Sequence, residues 1–281
     1  AAWLFVLHRL AGPAIRWRVG AAWGGGAVVF SLALLLVGTP DPGSASLDRA
    51  SYAGDAFRPA LARTEGGALI PARALMMDVY CAECHADVHG HWLHSAHRFS
   101  SFNNPAYLFS VRETRRDGLA RDGDTRASRF CAACHDPVPL FSGAFDDPGF
   151  DDQGHPTARA GITCSACHAI TRVNGVRGNG DYTIAEPVHY PFAYSDSPLL
   201  RWVNRQLVKA KPAFHKQTFL KPFHREPEFC STCHKVHLPR EVNGYKWLRG
   251  QNHYDSYTLS GVSGHGATSF YYPEEAVDSC N

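Results

Sequence analysis

The longest uncharged stretch of the sequence lies between Arg18 and Asp41 and reads VGAAWGGGAVVFSLALLLVGTP. These 22 residues (19–40) are enough to cross the hydrocarbon core of a bilayer as one helix. Arginines precede the stretch and aspartates follow it, so the positive-inside rule places residues 1–18 in the cytoplasm or along its membrane surface. The pattern predicts a single-pass anchor in the inner membrane, with the rest of the chain in the periplasm or outside the cell. A cleaved signal peptide is the alternative.

Beyond the predicted anchor, polar and apolar residues follow no clear helical or strand period. Residues 41–74 are rich in Pro, Gly, Ser and Ala and are predicted to form a linker. In residues 75–281 short apolar runs alternate with Gly and Pro, which total 25 and 18 in the chain. This predicts a mainly α domain of short helices between extensive irregular loops. Irregular loops of this length do not form a hydrophobic core by themselves, so a component other than regular secondary structure must supply the core.

Composition narrows the class of protein. The 281 residues suffice for one large or two small domains, and a hydrophobic content of 44% allows a packed core. A net charge of only +2 argues against a nucleic-acid partner. Nine cysteines and sixteen histidines are the departure from ordinary composition. In an exported chain cysteines first suggest disulfides, but their spacing here indicates other chemistry.

Eight of the nine cysteines fall into one repeated motif, C-x-x-C-H. The four copies are Cys81, Cys84 and His85; Cys131, Cys134 and His135; Cys164, Cys167 and His168; and Cys230, Cys233 and His234. The motif is typical of c-type haem attachment, where both cysteines form thioethers to the porphyrin and the histidine is the proximal iron ligand. Zinc sites pair two C-x-x-C units without requiring a histidine after each, and a thioredoxin-like C-x-x-C occurs once. The sequence therefore predicts four haems c, around which residues 75–281 wrap.

The ninth cysteine, Cys280, follows the spacing of the others. It stands 50 residues after Cys230, as Cys131 stands 50 residues after Cys81. We expect a fifth haem c motif beginning at Cys280, with the chain continuing past Asn281. A lone free or disulfide-bonded cysteine is the alternative.

The sixth ligand of each iron must be sought among the remaining histidines. Methionine is nearly excluded as a general ligand, because the chain has only Met76 and Met77. Eleven histidines remain once His8 and the four proximal ones are set aside. The predicted distal candidates are His97, His237, His189, His215, His253, His94 and His265. His89, His91, His155 and His224 complete the eleven.

Further motifs carry a resemblance to a known family. Trp92, Ser95 and His97 form W-x-x-S-x-H after the first haem motif, the third follows Gly161 in GITC, and the fourth follows Phe229. This combination resembles the multihaem cytochromes related to hydroxylamine oxidoreductase and its tetrahaem electron acceptor. The resemblance implies haems stacked in parallel and perpendicular pairs, mostly bis-histidine ligation, and His97 as a distal ligand. The anchored tetrahaem layout also resembles membrane-bound quinol dehydrogenases.

These observations predict an electron-transfer protein without catalytic residues, which passes electrons through bis-histidine haems. We expect its partners to be the membrane and other redox proteins, including subunits of a membrane complex. The first alternative is an enzyme that acts on a small nitrogen or sulfur species at a haem with an open coordination site. The second is a quinol-oxidising cytochrome or electron-wiring subunit of a larger complex. The axial ligands of each iron discriminate the enzyme from the electron carrier.

Overall fold

The computed structural model describes residues 56–243 and 247–264, together with 267 and 269. This part of the chain is mainly helical, with irregular loops between short elements. The helices are α1 (Asp78–Ala82), α2 (Ala86–Leu93), α3 (Pro105–Asp122), α4 (Arg129–His135), α5 (Pro137–Ser142), α6 (Cys164–His168), α7 (Pro198–Ala210), α8 (Pro212–Phe219), α9 (Pro227–His234), α10 (Arg240–Asn243) and α11 (His253–Thr258). The prediction of a mainly α fold with extensive loops is confirmed.

Local sequence sets the helix boundaries. Helices α3, α5, α7, α8 and α9 each have proline in the first turn, where its missing N–H costs no helical hydrogen bond. Asn104 caps α3 by accepting the backbone N–H groups of Ala106 and Tyr107. The same helix ends at Gly123, whose φ of 77° is readily adopted only by glycine. These local signals explain the many short helices.

Two small sheets join the helices. The first contains β1 (Arg63–Thr64), β2 (Ile170–Val173) and β3 (Tyr182–Ile184), in the order β1-β3-β2. Strand β3 pairs in parallel with β1 and antiparallel with β2, with Arg63 opposite Thr183 and Val173 opposite Tyr182. The second is an antiparallel pair of β4 (Lys235–Leu238) and β5 (Leu248–Asn252). Strands β2 and β4 begin one or two residues after the histidines of the third and fourth motifs, so each sheet is joined to a haem motif.

The hydrophobic core extends N-terminal to the boundary that the sequence analysis draws at residue 75. Phe57 and Ile70 are buried in it together with Leu75, Phe141 and other apolar side chains. The phenyl rings of Phe57 and Phe141 meet edge to face with their centroids 5.0 Å apart. Residues 56–74 are thus part of the packed domain rather than a linker. Their apolar residues lack periodicity because each packs from irregular backbone or from a single 3-10 turn.

The predicted anchor, residues 19–40, lies outside the described residues, as do residues 1–18. Among the helices that the structure describes, none combines the length and apolar character needed to cross a bilayer.

Candidate haem centres

Three of the four C-x-x-C-H motifs lie on a short helix that ends at the histidine of the motif, and the first motif begins on α1 and continues past its end at Ala82. The motifs of His135, His168 and His234 end α4, α6 and α9 respectively. In the first motif, His85 follows α1 and its backbone N–H still bonds to the carbonyl of Cys81 at 2.9 Å. Helical geometry places cysteines at positions i and i+3 on one face, with the histidine at i+4 beside them. Each motif thus places two cysteine sulfur atoms and one imidazole on a single turn of chain, which is the set that c-type haem attachment requires.

Hydrogen bonds to backbone carbonyls orient two of the proximal imidazoles. Nδ1 of His135 lies 2.7 Å from the carbonyl oxygen of Ser100, and Nδ1 of His168 lies 2.6 Å from that of Phe219. When Nδ1 donates its hydrogen to a carbonyl, Nε2 is left unprotonated and available to iron. Burial lowers the pKa of both imidazoles. The hydrogen bonds to the carbonyls act in the opposite direction but are the smaller effect. The neutral form, which binds metal, is therefore favoured at these two positions.

The first and third motifs lie side by side. The thiols of Cys81 and Cys164 are neighbours, and the interaction with Cys164 lowers the pKa of the Cys81 thiol. The backbone N–H of Cys164 donates to the Asp78 carboxylate at 2.7 Å, and the N–H of Met77 donates to the Ser165 hydroxyl at 3.1 Å. These bonds join the start of α1 to the start of α6, so the haems that the two motifs would hold are neighbours.

The second and fourth motifs form another pair. The Cys134 thiol lies 4.0 Å from the carbonyl oxygen of Thr232, and the neighbouring Cys233 thiol raises the pKa of Cys134. The loop before β3 and the first residue of β3 contact both α4, which carries the second motif, and α9, which carries the fourth. Gly180 donates its N–H to the carbonyl of Thr232 at 2.7 Å, and the Tyr182 hydroxyl donates to the carbonyl of Ala133 at 2.7 Å.

Strand β2, which follows the third motif, packs on α9 of the fourth motif, so the two pairs of motifs also meet through the third and fourth. Burial raises the pKa of the Cys167 thiol to about 12, with nearby Cys233 and Cys230 adding to the shift. Contacts therefore link the four motifs in the spatial order first, third, fourth, second, which differs from their order in the chain. A path for electrons along the attached haems would follow this order.

Two pairs of histidine rings have the separation that one iron would need. An iron bound to two imidazoles at about 2 Å from each nitrogen keeps the ring centroids about 6 Å apart. The rings of His85 and His215 have centroids 6.3 Å apart and planes 7° from parallel. The rings of His234 and His97 have centroids 6.2 Å apart and planes 67° from parallel. Both pairs join a proximal histidine to a predicted distal candidate.

Two further contacts involve proximal histidines. His224 lies against His168 with ring centroids 4.9 Å apart, and its buried Nε2 has no hydrogen-bond partner. Burial, with the nearby His168 and Lys221, lowers the pKa of His224 to about 4, which keeps this imidazole neutral. His253 lies on the fourth motif, with its ring centroid 5.9 Å from that of His234. His97 and His253 thus compete for one position.

The remaining distal candidates make other contacts. His237 lies in β4, where Nδ2 of the buried Asn179 side chain is 3.2 Å from its Nε2 and 2.8 Å from its carbonyl oxygen. His189 packs on Tyr194, whose hydroxyl lies 2.6 Å from its Nε2. Among the described residues, neither ring contacts a proximal histidine, and the same holds for His94. His265 and Cys280 lie outside the described part of the chain.

His135 is bordered by an aromatic ring. Tyr107 stacks on it with centroids 4.3 Å apart and planes 14° from parallel. The next residue, Asp136, is fully buried, and burial raises the pKa of its carboxyl well above the usual range. Within the described ranges, Tyr107 is the ring partner of His135, and the structure places no imidazole against it.

The W-x-x-S-x-H motif and the GITC motif meet in space. The Trp92 indole N–H donates to the carbonyl of Ile162 at 2.8 Å, and the Ile162 N–H donates to the carbonyl of His97 at 2.9 Å. Gly161 allows this approach, because a Cβ at that position would lie 2.7 Å from the His97 carbonyl oxygen. The Ser95 hydroxyl donates to the carbonyl of Trp92 at 2.8 Å and closes the turn before His97. These contacts hold His97 beside the fourth motif.

Comparison with known proteins agrees with this geometry. Residues 80–169 match the model of a family described as cytochrome c554 and c-prime. The chain is a multihaem c-type cytochrome. Its cofactor is haem c and its role is electron transfer. The matched range contains the first three motifs, while the fourth lies beyond it. No curated protein and no solved structure matches the chain.

His224 is not among the predicted distal candidates, but in the structure of the cytochrome it lies beside a proximal histidine. His224 stands six residues before Cys230, yet its ring contacts His168 of the third motif. Its sequence neighbours give no sign of this contact, since the two histidines are 56 positions apart. The sequence around His224 does indicate a haem ligand in one respect. Phe223 and Phe229 lie close to it, and their apolar rings would suit the edge of a porphyrin.

Proposed function

We propose that the cytochrome is a membrane-anchored, periplasmic electron relay whose haems are mainly bis-histidine ligated. The observation that carries this proposal is the separation of about 6 Å between His85 and His215 and between His97 and His234, on motifs that contact one another. Bound haem c supplies one-electron transfer. The chain's own residues fix the attachment points, the axial nitrogens and the burial of each centre.

The proposed ligands also indicate the range of potential. Methionine sulfur raises the potential of a haem, whereas the second ligands proposed here are histidines. Two neutral imidazoles favour low potentials by comparison. The order of motif contacts, first, third, fourth and second, supports a route that enters or leaves at the first or the second motif. Redox proteins and subunits of a membrane complex are the proposed partners at these ends.

The proposal is tested by redox titration of the purified full-length holo-protein, followed by absorption and electron paramagnetic resonance spectra. We expect low-spin signals from the irons of His85 and His234, because each has a second imidazole at the required separation. Reduction should proceed in several low-potential steps. A dominant high-spin signal, with carbon monoxide binding to most of the reduced haem, would instead favour the enzyme that works at an open site.

The proposed anchor gives a second expected outcome. Residues 19–40 carry no charge and follow basic residues, so full-length protein should remain in membranes after alkaline carbonate extraction. A matched variant with Leu34→Lys and Leu36→Lys, which interrupts the apolar stretch, should lose that resistance. Release of the unchanged full-length protein by carbonate would exclude a spanning helix. It would leave the haem assignment intact.

A further inference from the structure

Helix α7 presents one face to the first haem motif. The side chain of buried Asn204 donates to the Tyr80 hydroxyl at 2.8 Å. Arg201 and Arg205 both pair with Glu83, which lies between the two cysteines of that motif. These contacts fix the orientation of the helix, because its inward side is defined by residues 201, 204 and 205.

The opposite face of α7 carries large apolar side chains. At 100° per residue, Leu199 and Trp202 lie about 140° and 160° around the helix from Asn204. Leu199 is 67% exposed and Trp202 is 53% exposed. Both side chains therefore point away from the first motif and from the cysteines that would hold its haem. Among the residues that the structure describes, none covers this face enough to bury either side chain.

The segment that contains α7 and α8 has a strong excess of positive charge. No aspartate or glutamate occurs in residues 197–225, whereas the segment holds seven basic residues. They are Arg201, Arg205, Lys209, Lys211, Lys216, Lys221 and Arg225. This excess is larger than the net charge of +2 of the whole chain, so the positive charge is concentrated in this segment.

Three of these cations are available to an external anion. Lys209, Lys211 and Lys216 are exposed and have no ion pair with a carboxylate in the part of the chain that the structure describes. They lie at the end of α7 and along α8, next to the exposed apolar face. At 100° per residue Lys209 lies about 140° from Asn204, on the same outward side as Trp202. A helix that presents lysine beside leucine and tryptophan suits the interface of an anionic bilayer.

We propose that the outward face of α7, which carries Leu199, Trp202 and Lys209, forms together with the adjoining Lys211 a docking surface for the anionic headgroups of a lipid bilayer. The lipid is favoured over an acidic protein because tryptophan and leucine are exposed together beside the lysines, the pairing that membrane interfaces select. The inference deepens the proposed function and rests on its placement of the domain at a membrane.

Docking by α7 would also set the orientation of the electron path. Helix α8 follows α7 after Lys211 and carries His215, which faces His85 of the first motif. A domain resting on α7 would hold the first motif nearest the lipid surface. The second motif, at the other end of the contact order, would then lie farther along the path and be free for a protein partner.

The test follows hydrogen exchange of peptides from residues 198–219 in the full-length holo-protein. The protein is placed in nanodiscs of phosphatidylcholine alone and of phosphatidylcholine with phosphatidylglycerol. We expect slower exchange in the anionic discs, with the difference removed by about 0.5 M salt. The double variant Leu199→Ser and Trp202→Ser should reduce the protection at least tenfold, since the burial of even one such apolar side chain contributes on that scale.

A matched control is Phe109→Ser, which removes an apolar side chain that is 69% exposed on α3. It should leave the lipid-dependent protection unchanged. Equal exchange in the two kinds of disc would overturn the inference, and so would protection that appears only when an acidic redox protein is added. Retention in the discs depends on residues 19–40, whereas the exchange difference depends on α7, so failure of the anchor and failure of the docking surface are distinguishable.

Discussion

Replacing His97 by alanine should convert one haem from low-spin to high-spin while the others stay low-spin. His97 and His234 have ring centroids 6.2 Å apart, so the affected centre is the one attached to Cys230 and Cys233. Loss of an imidazole opens one axial position and removes a ligand that stabilises ferric iron. The reduced variant should therefore bind carbon monoxide at one haem, and the potential of that haem should rise. Absorption and electron paramagnetic resonance spectra measure the change.

Two variants serve as controls for His97→Ala. His94→Ala removes an imidazole three residues away that makes no ring contact with a proximal histidine in the described chain, and its spectra should match the wild type. His253→Ala removes the other ring near His234, at 5.9 Å. We expect it to remain low-spin, because the Ile162 bond to the His97 carbonyl holds the backbone of His97 in place. A high-spin signal in His253→Ala and none in His97→Ala would assign the ligand to His253.

The sequence was enough to predict the attachment chemistry, because that chemistry is local. The two cysteines and the histidine of each motif lie within five residues, and any short helix brings them together. The pairing of His97 with His234 was not open to such reasoning, since 137 positions separate the two residues. Which imidazole meets which motif depends on long-range contacts such as the bond between Trp92 and Ile162.

The same distinction explains the error at the N-terminal boundary of the domain. A helix or strand reveals its buried face by a period of apolar residues, but residues 56–74 contain only a two-residue strand and short 3-10 turns. Phe57 and Ile70 are buried one by one against α5 and its neighbours. Without a period, a buried irregular segment and an exposed linker have similar sequences. Composition alone, rich in Gly, Pro and Ala, favoured the linker.

Replacing Gly178 by alanine should be among the most destabilising single changes outside the haem ligands. Gly178 lies in the loop between β2 and β3 with a φ of 79°, and a Cβ there would stand 1.8 Å from the carbonyl oxygen of Lys235. The neighbouring Asn179 donates its N–H to the same carbonyl at 3.0 Å, so the loop cannot move away without losing that bond. Lys235 directly follows His234, and the displacement should also disturb the ring pair of His234 and His97.

The matched control is Gly123→Ala at the end of α3. Gly123 has nearly the same φ, 77°, but a Cβ there would meet nothing within 4 Å. Both variants incur the backbone cost of about 1 kcal/mol for a positive φ, and only Gly178→Ala adds the steric conflict. Thermal unfolding should show a fall of about 2–4 °C for Gly123→Ala and of about 10 °C or more for Gly178→Ala, with a partial high-spin signal in the latter. An equal fall in both would mean that the loop yields freely, and that the contact with Lys235 does not fix the fourth motif.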